Sequence, residues 1–296
     1  FLLQYGNNSI EQILFGDGNT QAPVLVYTAF GETMEQVNIR PFLPLIALPI
    51  FIALISIVAV YELLIATGMM KHRRIFLYAL IFAGLVPFWA YYGTLGYVGG
   101  IGIFLYMLLL FIEALLDHRR MSFEKLAATA FCSFIIPYLF SAFVRIGVAL
   151  DGRFYILLPL IIAFISDAGG LFVGMSMGRH KLAPEISPKK SVEGAIGGLI
   201  AALLGTVIYG LVILIFFDFK VNFFLLIIYG LLGSVVSQIG DLSFSYIKRQ
   251  YGIKDYGHIL AGHGGILDRF DSVIFCAPFV EMMCVIAPAL TRIVTA

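Results

Sequence analysis

Residues 223–271 read FFLLIIYGLLGSVVSQIGDLSFSYIKRQYGIKDYGHILAGHGGILDRFD. The first half is an apolar run long enough to cross a bilayer as a helix, which takes about 20 residues. The second half, Ser245 to Asp271, sets Lys248, Arg249, Lys254, Arg269, two histidines, three aspartates and the pair Gly264-Gly265 within 27 residues. A further apolar run follows. Charge of both signs at the mouth of a membrane domain is costly, and folding alone does not call for it. The pattern points to a site for phosphates and metal ions that faces lipid.

Working outward, the composition agrees. Of 296 residues, 60% are hydrophobic and only 12% charged. A soluble domain of this size would carry far more Lys, Glu, Asp and Arg on its surface. The net charge of +1 provides no basic field for nucleic acid. Cys132, Cys276 and Cys284 all fall in apolar stretches without metal-ligand spacing, and read as small buried hydrophobes. The apolar patches of residues 1–43 are too short to span. That segment is expected to be non-cytoplasmic and to follow a helix preceding residue 1, with 44–296 as the transmembrane catalytic domain.

Eight apolar runs predict an all-α, polytopic helical bundle with spans at about 44–66, 75–92, 95–116, 127–147, 154–178, 194–217, 223–247 and 272–294. Alternation places the loops beginning at 67, 117, 179 and 248 on one side. Fourteen of the 19 Lys and Arg lie there, the exceptions being Arg40, Arg145, Arg153, Lys220 and Arg292. The positive-inside rule makes that side cytoplasmic. An integral, multi-pass protein of the cytoplasmic membrane follows, with its site facing the cytoplasm. Gly170, Gly174 and Gly178, then Gly194 and Gly198, read as close helix packing.

Acidic residues inside or beside spans need partners or water. Glu62 and Glu113 lie near cytoplasmic helix ends and read as solvated or locally paired. Glu281, deep in the last span, has no role that the sequence reveals. Asp167 and Asp241 each occupy the cytoplasmic half of a helix that leads into a basic loop. Asp241, Ser245 and Lys248 share one helical face, and the gap between Asp241 and Lys248 suits a bound cation or phosphate. Asp268 and Asp271, three apart, can share a metal, although acidic residues also complement a helix N-terminus. Carboxylate oxygens in small number suit Mg²⁺. His263 reads equally as a hydrogen-bond donor to phosphate, a general acid or a capped loop histidine. Gly264-Gly265 permits close backbone approach and exposes N–H groups to an anion. A second cluster, RHKLAPEISPKKSVEGAIGG at 179–198, brings Arg179, Lys181, Lys189 and Lys190 together with Ser187 and Ser191. It reads either as an anchor for anionic head groups or as a second wall of the same site.

These residues resemble the signature of the phosphatidate cytidylyltransferases, or CDP-diacylglycerol synthases. The matching positions are Ser245, Lys248-Arg249, Lys254-Asp255, Gly257, His263-Gly264-Gly265, Asp268-Arg269 and Asp271. The 187–194 stretch is similar to the family's Ser-Pro-Lys-Lys-Thr-x-Glu-Gly loop, with Ser191 in place of Thr, and Tyr61-Glu62 is similar too. Ala261 stands where Pro or Gly is usual. The resemblance implies CTP plus phosphatidate giving CDP-diacylglycerol and pyrophosphate, as a step of phospholipid biosynthesis. It implies a two-metal centre of Mg²⁺ and a second ion of open identity on Asp241, Asp268 and Asp271, with Asp167 as a further ligand or orienting group. Lys189, Lys190, Lys248, Arg249 and Arg269 would hold phosphates, and His263, Gly264 and Gly265 would shape the nucleotide site. Lys254 and Asp255 enter the catalytic set, and Ser187, Ser191 and Ser245 the substrate-binding set, by their signature positions. The expected partners are CTP, phosphatidate and the lipid bilayer, the bundle admits a homodimer, and nucleic acid is excluded. Two alternatives are CTP-dependent activation of an ether-linked or polyprenyl phosphate, and an anion or ion transporter. Transport fits poorly, since the ionisable residues crowd one third of the bilayer depth and no inverted repeat is visible.

Overall fold

In lipid every backbone N–H and C=O must be satisfied within the chain, so long apolar runs become helices. A computed structural model describes residues 43–91, 97–149, 152–217, 219–257 and 264–292. The expectations for residues 1–42 and for His258, Ala261 and His263 concern positions outside these. The helices are α1 (Leu43–Ala66), α2 (Arg73–Tyr91), α3 (Tyr97–Leu116), α4 (Phe123–Phe140), α5 (Ala142–Val148), α6 (Gly152–Tyr155), α7 (Leu158–Met177), α8 (Val192–Phe216), α9 (Phe223–Gln250) and α10 (Leu267–Ile286). Strands β1 (Lys181–Ala183) and β2 (Ser187–Ser191) form an antiparallel hairpin, and β3 (Phe219–Val221) pairs antiparallel with β4 (Leu290–Arg292). Among the described residues, seven helical segments are long and apolar enough to cross a membrane. The chain is a multi-pass, all-α membrane protein.

Differences from the expected spans have local causes. The run at 127–147 is broken at Ser141, four residues after Pro137, where the Ser141 hydroxyl donates to the Pro137 carbonyl at 2.6 Å. The last helix starts at Leu267 and stops at Ile286, because Pro288 disfavours helical geometry at Ala287. Leu290–Arg292 then turns into a strand against Phe219–Val221, so the expected span to 294 is too long. Helix α10 is not among the seven apolar segments; it carries Asp268, Arg269, Asp271 and Glu281. It tolerates these because protein surrounds it: α1, α4, α5, α7 and α9 all pack on it. Outer helices instead turn Phe104, Leu115, Phe172, Ile215 and Phe224 outward, where acyl chains solvate them.

Helices α7 and α8 pack closely along their glycines. A side chain at Gly170 or Gly194 would press on the other helix's backbone, the Gly194 position meeting the Gly170 carbonyl at 2.7 Å. This is the packing the glycine spacing predicts. It places Asp167 on α7 beside the loop that enters α8.

Candidate functional site

Asp268 ties the site together. It sits in the first turn of α10, and its Oδ2 accepts the N–H groups of Tyr256 (2.8 Å) and Gly265 (3.1 Å). Its Oδ1 accepts Lys248 Nζ from α9 at 2.9 Å. The same ammonium lies 3.9 Å from Asp271 Oδ2 and 5.4 Å from the centre of the Tyr256 ring. Burial, and then the charges of Asp268 and Asp271, push the Tyr256 phenol far above its usual range. The ring therefore stays protonated, and its O–H donates to the Phe244 carbonyl at 2.8 Å. Lys248 and Asp271 are both buried, so this pair is held in low dielectric, where Coulombic attraction is strong.

A second group opens beside it. Lys190, on β2, pairs with Asp241 Oδ2, while Ser245 donates to Asp241 Oδ1 at 3.3 Å. Asp241 thus receives one ammonium group from the hairpin. Of the two adjacent lysines it is Lys190 that is half-buried, while Lys189 is exposed. Asp167, on α7, accepts the Ser272 hydroxyl at 3.0 Å. Asp167, Asp241 and Asp271 stand within Coulombic reach of one another. Residues from α7, β2, α9 and α10 therefore meet at one end of the bundle.

The other predicted residues divide. Arg249 donates Nε to the Ile186 carbonyl at 3.1 Å, which fastens the hairpin tip to the end of α9. Lys189, Lys254, Asp255 and Arg269 are exposed around the rim, and Ser187 is half-buried in β2. The buried Ser191 hydroxyl caps α8 by accepting the Gly194 N–H at 3.1 Å. Gly264 has φ +79°, a left-handed conformation that favours glycine. The Gly265 N–H is directed at Asp268. His263 lies outside the described residues.

Of three acidic residues outside this cluster, two come out differently from their sequence reading and one as expected. Glu281 has a partner, Arg145, in a two-pronged pair of 2.5 and 2.8 Å. Glu113 faces Arg74 and Tyr78 at 3.7 and 3.4 Å, the local pairing expected of it. Glu62 is not solvated, and among the described residues no cation pairs with it: it is 1% exposed and accepts the N–H groups of Ile266 (3.0 Å) and Leu267 (2.9 Å). The signal for it in the sequence was only its presence in Tyr61-Glu62.

The site has four aspartates and two inward lysines. Among the described residues, no three His, Cys, Asp or Glu side chains converge tightly enough to hold one ion. The donor set is nevertheless all carboxylate and hydroxyl oxygen, the chemistry that suits Mg²⁺ completed by water and substrate phosphate. Ammonium groups already sit at Asp241 and between Asp268 and Asp271, where the surplus of carboxylates demands positive charge. The residues fit a hard divalent cation.

The cytidylyltransferase family profile matches residues 37–287, most of the chain. The chain belongs to that family. Proteins named phosphatidate cytidylyltransferase from Staphylococcus haemolyticus (strain JCSC1435) and Staphylococcus saprophyticus are each 42% identical to it over 171 residues. One of the same name from Staphylococcus aureus (strain COL) is 41% identical over 171 residues. In each case the match covers 57% of this chain and 63% of the relative, just under two thirds of the relative's length. All seven membrane-length helices and the whole aspartate–lysine cluster lie within the family match.

Proposed function

We propose that the chain transfers the cytidylyl group of CTP to phosphatidate, releasing pyrophosphate and leaving CDP-diacylglycerol, at the cytoplasmic face of the cytoplasmic membrane. The observation that carries this reading is the surplus, among the described residues, of the carboxylates Asp167, Asp241, Asp268 and Asp271 over the lysines paired with them, Lys190 and Lys248, at one end of a membrane bundle. The names of the relatives support the substrates. The basic residues of the loops at 67, 117, 179 and 248 support a cytoplasmic orientation.

In this reaction an oxygen of the phosphatidate phosphate bonds to the α-phosphorus of CTP, and the bond from that phosphorus to the β-bridging oxygen breaks. The attacking phosphate is already ionised at neutral pH, so no side chain needs to remove a proton. Both reactants are anions, and their approach is repulsive until positive charge is supplied. Asp241, Asp268 and Asp271, with Asp167 beside them, would hold Mg²⁺, which when bound supplies that charge to the phosphates and to the leaving pyrophosphate. Lys190 and Lys248 are held by their aspartates, pointing into the site rather than away from it, so little reorganisation is needed to meet phosphate oxygens. Arg249 fixes the hairpin that carries Lys190. Outer walls of apolar side chains keep the lipid tails in the bilayer while the head group reaches the polar end.

The test is purified protein with cytidine-labelled CTP, phosphatidic acid and Mg²⁺. Label passing into the organic phase, and ceasing to pass when EDTA is added, is the expected result. Label remaining in the aqueous phase with folded protein and excess metal overturns the assignment.

A further inference from the structure

Two glycines at the edge of the site are unexplained by their own backbones. Among the described residues, Gly68, Gly252 and Gly264 have positive φ; Gly257 and Gly265 do not. What excludes a side chain at both is a residue about two hundred positions earlier. A Cβ on Gly257 would come within 2.6 Å of Glu62 Oε1, and one on Gly265 would collide with Glu62 Oε2. The carboxylate of α1 is thus inserted between two backbone segments that flank the charged loop.

Its contacts are specific. Ile266 and Leu267 open α10, and their N–H groups have no partner within the helix; Glu62 accepts both, at 3.0 and 2.9 Å. The negative carboxylate also meets the positive end of the helix dipole. The residues that Glu62 touches flank Asp268 and its backbone donors: Gly257 follows the donor Tyr256, Gly265 is itself a donor, and Ile266 and Leu267 link Gly265 to Asp268. Displacing Glu62 would move both N–H groups that orient Asp268 Oδ2, and with Asp268 the ammonium of Lys248.

The geometry points to Glu62 as a positioning residue for the proposed cytidylyl transfer, a fixed template on α1 around which Tyr256–Gly257 and Gly264–Leu267 are set. It touches no substrate in this role. It acts through Asp268, and it is the reason Gly257 and Gly265 carry no side chain. The reaction part of this inference rests on the function proposed above; the anchoring part does not.

The experiment compares wild type with Glu62→Gln, Glu62→Asp, Gly265→Ala and the Glu62→Asp/Gly265→Ala double variant in detergent. Glu62→Gln puts an amide where two N–H donors converge, and its kcat should fall about 10–100-fold, as for other outer residues that orient a site, with KM for CTP unchanged. Glu62→Asp withdraws the carboxylate and makes room at residue 265. The double variant should therefore turn over faster than Gly265→Ala alone. Equal damage from Gly265→Ala in both backgrounds, or full kcat in Glu62→Gln, overturns the proposal. Amide hydrogen exchange at Ile266 and Leu267 provides a readout independent of activity. If wild type transfers no cytidylyl group, the reaction reading fails, yet faster exchange in Glu62→Gln still upholds the anchoring. Unchanged exchange at both amides removes it.

Discussion

Asp271 and Glu281 lie on the same helix, α10, and meet different surroundings. Glu281 receives both prongs of one guanidinium, from Arg145 Nε and a terminal nitrogen. Arg145 in turn donates to the Tyr138 carbonyl at 3.2 Å and stacks on the Tyr138 ring, 4.5 Å from its centre. That end of α10 is closed: one acid, one base, and the third guanidinium nitrogen held by a carbonyl. At the other end Asp167, Asp241, Asp268 and Asp271 share Lys190 and Lys248. Charge within a membrane is therefore a poor guide to function when taken alone. The informative quantity is the balance, since a surplus of carboxylates persists only where cations or water complete it.

The comparison breaks most decisively at Asp271. Replacing it by Asn keeps the shape and removes one surplus charge; cytidylyl transfer per folded molecule should fall at least about 100-fold, beyond the loss usual for outer residues. The measurement is label transfer to lipid by protein that elutes normally on size exclusion. Normal turnover would mean that the surplus is not what the reaction uses.

The other end should respond in stability. Arg145→Ala leaves Glu281 without its partner and should cost about 3 kcal/mol, seen as a lower thermal midpoint in detergent. Turnover per folded molecule should remain that of wild type. The double replacement Arg145→Met/Glu281→Met should recover most of the midpoint, because a closed pair contributes little beyond its packing. Slower turnover in a stable Arg145→Ala variant would move this pair into the site.

The smallest contrast lies within one strand. Lys190→Met should raise KM for CTP about tenfold, the worth of a charged hydrogen bond. Lys189→Met, one residue away and facing outward, should stay within about 0.5 kcal/mol, a factor of about two. Equal effects would show that the pair acts by net charge and not by direction.

Much of this is legible in the sequence. Apolar run length located the helices, because lipid leaves the backbone no other partner. The glycine spacing from Gly170 to Gly198 announced the α7–α8 contact, since only small residues allow that approach. The candidate aspartates and lysines stood out because charge is rare among the spans. Pro137 and Pro288 were visible too, yet the break at Ser141 and the strand at Leu290–Arg292 required the hydroxyl and the partner strand that complete them. The helix-capping bond of the Ser191 hydroxyl is a further contact that its place in the signature does not reveal.

Membrane class, helix positions and the cast of charged residues followed from the order of amino acids, because each depends on solvation of a short stretch of chain. Which carboxylate is answered, and by whom, was settled only by the fold. Glu281 finds Arg145 136 residues away, and Glu62 finds Ile266 across 204. No local pattern encodes such pairs: the helices are first formed by lipid and backbone, and their packing then decides which charges meet and which are left for a ligand.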